Sequence, residues 1–99
     1  MNRITRANLD AMCAEINRTA GTPTEPWTRH GDGRLTANIG CYHLSGAYGG
    51  WSLEQMASEG GGVHAIFSGY LPKRELYERM RAYLAGMRAR EATGGIDNA

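Results

Sequence analysis

A chain of 99 residues, 41% hydrophobic and 21% charged, has the composition of one globular domain rather than of a disordered segment. Its formal net charge of +1 argues against a dedicated nucleic-acid coat, and so against a double-stranded nucleic-acid partner, though not against a local basic patch. No apolar run approaches a membrane span, Met1 to Arg6 lacks the apolar core of a signal peptide, and Cys13 and Cys41 lack paired zinc spacing. These features predict a cytoplasmic protein with reduced thiols, and a core small enough for a homo-oligomer to benefit it.

Thr5 is placed to cap a helix whose apolar residues Leu9, Met12, Cys13 and Ile16 recur at i, i+3, i+4 and i+7. Ile4 and Leu9 have the spacing of a hydrophobic staple. Gly21 ends this helix, and Pro23 and Pro26 cannot continue it. Trp27-Thr28-Arg29 then reads as a short strand and His30-Gly31-Asp32-Gly33 as a hairpin turn. Leu35, Ala37, Ile39 and Cys41 alternate with polar or small neighbours, which predicts one strand with one apolar face. Leu44 falls on the other face, so that strand carries a bulge near Gly40 or is buried on both sides.

Gly49-Gly50 supplies the positive φ of a tight turn. Residues 51–58 fit a short helix, with Ser52 and Gln55 as a capping box, or a strand pairing back across Tyr48-Gly49-Gly50. The strand is preferred, because the segment is short and lies between two glycine breaks, Gly60-Gly61-Gly62 being the second. Residues 63–70 read as an irregular connection that lends Val63, Ile66 and Phe67 to the core. Pro72 suits a first helical turn, and Leu76, Met80, Tyr83, Leu84 and Met87 make an apolar stripe with Tyr77 beside it. Glu75 with Arg79 and Glu78 with Arg81 are spaced as helical ion pairs. The fold class predicted is α+β: an N-terminal helix, a small antiparallel β-meander and a long C-terminal amphipathic helix packed on the sheet. It is a single domain over 1–99, with 1–4 and 93–99 frayed.

Between Tyr48 and Arg74 lie an aromatic ring, bare glycine backbone, and a helix N-terminus bearing Lys73 and Arg74. Those are the parts of a site for an anionic, ring-bearing ligand such as a nucleotide. The plain alternative is that Tyr48 packs on Trp51 and Arg74 is a solvated surface arginine. Cys41, His43 and His30 make at most three metal ligands with no fourth, so no metal and no cofactor is predicted. His64 is a ligand contact or merely exposed, and Glu54, Glu59 and Glu75 show no paired-carboxylate spacing. With no nucleophile, base and orienting group together, no enzyme is predicted.

The strings AYGG, SLEQMASEGGG and PKRELYERMRAYLAGM, within Trp27 to Met87, resemble a family of small phage and prophage proteins, the Thoeris anti-defence sponges. Such proteins sequester the cyclic ADP-ribose signals made by bacterial TIR-domain immune proteins, and some also hold cyclic oligonucleotides. The resemblance implies that Tyr48 stacks on the ligand and Arg74 faces its phosphates. Ser58 stands where the family has an asparagine, a departure that shortens the reach and leaves one donor for two. Arg29 and Gly31 have the spacing of a second phosphate site. The implied partner is a small cyclic nucleotide, held without cleavage by a homo-oligomer with no membrane partner. Two other functions fit the residues. One is an inhibitor docking its arginine-rich helix (Arg74, Arg79, Arg81, Arg88, Arg90) on an acidic host protein; the other is a nucleotide-cleaving enzyme with His43 or His64 as base.

Overall fold

The computed structural model describes residues 3–92. Helix α1 (Arg6–Ala20) opens with a reciprocal capping box, the Thr5 hydroxyl accepting the Asn8 N–H while the Asn8 side chain accepts the Thr5 N–H. Gly21, at φ 74, closes the helix in the left-handed region. Ile4 packs against the core, so the fraying expected of 1–4 does not reach it. Met1, Asn2 and 93–99 lie outside the described residues.

Strands β1 (Trp27–Arg29) and β2 (Leu35–Ala37) form an antiparallel hairpin. The single strand expected through Leu35 to Cys41 does not form. Instead the Cys41 N–H closes a turn on the Asn38 carbonyl, with Gly40 at φ 95. Met56 then faces two residues at once, accepting from the Gly40 N–H and donating to the Cys41 carbonyl. That is a glycine bulge, and it stands where Leu44 demanded one. The turn also breaks the apolar alternation. Leu35 and Ile39 end 49% and 55% exposed, while Ala37 and Cys41 are buried beside Met56 in a small second cluster.

Strands β3 (Tyr42–Ala47), β4 (Gly50–Met56) and β5 (Val63–Ala65) make an antiparallel sheet in that order. The β3–β4 register runs from Tyr42 opposite Gln55 to Ala47 opposite Gly50, so Gly50 to Met56 is strand, as preferred over helix. Val63 to Ala65 is a strand as well, not an irregular connection, and Val63 is 42% exposed rather than core. Ile66 and Phe67 do pack on the core. Leu71 rejoins β4 through two 2.8 Å bonds with Trp51.

Helix α2 (Lys73–Ala92) starts one residue later than Pro72, whose carbonyl accepts the Leu76 N–H at 3.0 Å. Its Leu76, Met80 and Leu84 are buried in one cluster with Leu9, Cys13 and Ile16 of α1 and Tyr42 and Leu53 of the sheet. Both helices therefore cover the same sheet face, the α+β layering that the periodicities predict. Tyr83 ties the layers, its hydroxyl 2.8 Å from that of Tyr42 and its ring edge-on to Phe67. Asn17, buried on α1, clips the outer edge of β3: its carboxamide accepts the Tyr42 N–H at 2.8 Å and donates to the Tyr42 carbonyl at 2.9 Å. Among the described residues no helix is long and apolar enough to cross a membrane.

Candidate functional site

The turn between β3 and β4 is two residues long, Tyr48 at φ 53 and Gly49 at φ 73. The positive φ values thus fall on Tyr48 and Gly49, not on the Gly49-Gly50 pair that the sequence suggests. Glycine adopts such a turn freely and asparagine tolerates it, whereas most other side chains are strained there by about 1–2 kcal/mol. The strained tyrosine is also 94% exposed. Its ring stands edge-on to Tyr70 at 5.5 Å, not on Trp51. Trp51 lies over Gly46 instead, with the Arg6 guanidinium 4.6 Å from its ring centre.

Gly50 brings the start of α2 to this turn. A Cβ at Gly50 would stand 3.0 Å from the backbone of Tyr70 and Leu71, so the chain passes directly over it. Arg74 follows on the first turn of α2, where it pairs with Glu78 at 3.7 Å while half exposed. Tyr48 and Tyr70 therefore pair at one end of the sheet, and the first turn of α2, with Lys73, Arg74 and Glu75, follows Tyr70 directly in the chain.

Ser58, Arg29 and Gly31 lie toward the other end. The Ser58 hydroxyl accepts the Gly62 N–H at 2.9 Å and its carbonyl accepts the Gly61 N–H, which closes the glycine loop. Trp27 of β1 covers Gly61 so closely that a Cβ there would come within 2.8 Å of the indole. The Ala37 N–H adds a 3.0 Å bond to the Glu59 carbonyl, fastening the β1–β2 hairpin to the loop. Arg29 and Gly31 are exposed on that hairpin. The seven residues of β4 separate the two groups by about 20 Å at ~3.3 Å per residue. Within one chain, Tyr48 meets Tyr70, four residues before Arg74, and Ser58 stands apart from that end.

The two thiols are not poised as nucleophiles. Burial, then the neighbouring Cys41 and Asp10, push the Cys13 thiol up to about 12, and burial also raises Cys41. Both thiols are free, buried and protonated at neutral pH, the opposite of a nucleophile's state. His30 bonds Thr36 at 2.6 Å on the hairpin. Among the described residues no cluster of three or more His, Cys, Asp and Glu could hold a metal.

Sequence reasoning missed Tyr70 and Asn17. An aromatic residue just before Leu71-Pro72 was the only signal for the first. For the second it was an asparagine inside a helix, where its own propensity is poor. Comparison with protein-family models, curated proteins and solved structures finds no match.

Proposed function

We infer that the chain is a non-catalytic binding protein that sequesters a small anionic, ring-bearing ligand. Tyr48 carries this reading. A strained conformation spent on a 94% exposed aromatic ring adds nothing to the core, and such residues concentrate at ligand-binding sites. The ring's face suits a base, and the cationic start of α2 suits phosphate. Joined to the family resemblance, this makes the ligand a cyclic nucleotide immune signal of the cyclic ADP-ribose type, held intact in the host cytoplasm as a phage counter-defence. Tyr48 with the start of α2 at one end, and Ser58, Arg29 and Gly31 at the other, make a single pocket only where two copies meet. The reading therefore includes a homo-oligomer.

Calorimetric titration with cyclic ADP-ribose tests it, followed by heat denaturation and recovery of the ligand. The expected result is tight binding and return of unaltered ligand. Arg74→Ala should weaken binding by about 1.5–3 kcal/mol, the range for a hydrogen bond to a charged group. The melt should scarcely change, because the Arg74–Glu78 pair is exposed. Recovered cleavage products would make the protein an enzyme. Absence of binding by any cyclic nucleotide would favour the helix-docking inhibitor.

A further inference from the structure

A cleft of about 300 Å³ lies between α1 and the outer edge of β3, with Arg6, Asp10, Ala14, Asn17, His43 and Leu44 in its lining. The hydrogen-bond ladder explains what it offers. The Cys41 carbonyl takes the Met56 N–H and the β3–β4 turn closes on Ala47, so the odd-numbered residues of β3 bond to β4. Tyr42, Leu44 and Gly46 consequently turn their N–H and carbonyl groups away from the sheet. Asn17 satisfies both groups of Tyr42 with one carboxamide. Leu44, the next step along the same edge, has no such partner among the described residues.

The cleft's ends decide what kind of group fits. Asn17 closes it at Tyr42, and Arg6, stacked on the Trp51 ring that covers Gly46, closes it at the other end. Between these two ends Leu44 is the single outward step of β3, so the edge offers room for one group with a paired donor and acceptor rather than for a strand of several residues. We propose that this cleft binds a small planar molecule carrying an N–H donor beside an acceptor on one edge, the edge shared by a nucleobase and a primary carboxamide. Its donor bonds the Leu44 carbonyl and its acceptor takes the Leu44 N–H, repeating at Leu44 what Asn17 does at Tyr42. The site is separate from the Tyr48 turn and does not depend on the function proposed for that turn.

Amide NMR of the whole chain tests the site in two arms, adenosine for the nucleobase and benzamide for the carboxamide. N6,N6-dimethyladenosine and N,N-dimethylbenzamide, which lack the N–H donor, are the controls. The expected result is a saturable downfield shift of the Leu44 amide proton, with slower hydrogen exchange, in one arm or both and with neither control. Ala14→Phe, which fills the cleft from α1, should weaken that binding by about tenfold or more, the equivalent of 1.4 kcal/mol. Should that variant lose its dispersed spectrum, the methylated controls decide alone. A Leu44 proton unmoved in both arms overturns the proposal, as does an equal shift with the methylated compounds. Shifts confined to Tyr48, Tyr70 and Arg74 overturn it while supporting the function proposed for the turn.

Discussion

Tyr48 sets backbone strain against exposure in a single residue. Asparagine tolerates the left-handed region far better, so Tyr48→Asn should raise stability by about 0.5–1 kcal/mol, the relief of strain less the exposed Tyr70 contact. Ligand binding should be lost in the same variant. Denaturant titration beside calorimetry checks both halves, and a less stable variant would show that the ring contact outweighs the strain. Cys13 and Tyr42 set a second residue-scale expectation. Burial leads in holding the thiol up from 9.0 and the hydroxyl up from 10.0, each to about 12. Both groups ionise earlier in the unfolded chain than in the folded one. Their contribution to stability is therefore intact below about pH 9 and declines as pH rises toward 12. Denaturation midpoints measured from neutral to alkaline pH should fall over that window, and a flat profile would contradict the burial of both groups.

At the scale of elements, the junction of β4 with the start of α2 depends on bare backbone. Gly50 is required for space, not for conformation, because the nearest neighbours of an added Cβ are main-chain atoms of Tyr70 and Leu71 at 3.0–3.1 Å. Main chain cannot swing aside, and a shift there strains the paired bonds between Trp51 and Leu71. Gly50→Ala should cost about 1–3 kcal/mol, as overpacking does. Gly46→Ala meets the Trp51 ring at a similar distance, but a side chain that can tilt yields more cheaply. Melting curves of the two variants should rank Gly50→Ala as the more damaging. The reverse order would mean that the Trp51 ring, clamped by Arg6, is the stiffer neighbour.

The whole molecule is a slab of 44 × 42 × 21 Å with a radius of gyration of 14.9 Å, against about 13 Å for a compact chain of this length. Both helices lie on one face of the sheet, and His43, Ser45, Ser52 and Glu54 point to the other. A thin two-layer chain leaves much of its surface in water, and association is the usual remedy. Sedimentation at micromolar concentration should show an oligomer. A lone species near 10.8 kDa would count against both the oligomer and the composite ligand pocket that needs it.

The helices, the β3–β4 hairpin and the α+β class were legible in the sequence because each follows from a local signal. Leu9 to Ile16 and Leu76 to Met87 repeat with the helical period, Thr5 and Gly21 mark ends, and glycines flank β4. Tyr48 and Arg74 could likewise be singled out as an exposed-turn aromatic and a helix-start cation. The end of the sheet that Tyr48 occupies with Tyr70, and the distance of Ser58 from it, could not. The alternation from Leu35 to Cys41 reads as a strand that is either bulged near Gly40 or buried on both sides; the opposing Met56, which bonds both Gly40 and Cys41, decides for the bulge, and Leu35 and Ile39 end exposed. The clip of Asn17 on Tyr42 spans 25 positions, and Tyr70 meets Tyr48 only because Leu71 returns to Trp51. Periodicity and caps act within a turn or two of chain. Register, edge satisfaction and the neighbours of an exposed ring are set by segments that meet only after the chain has folded.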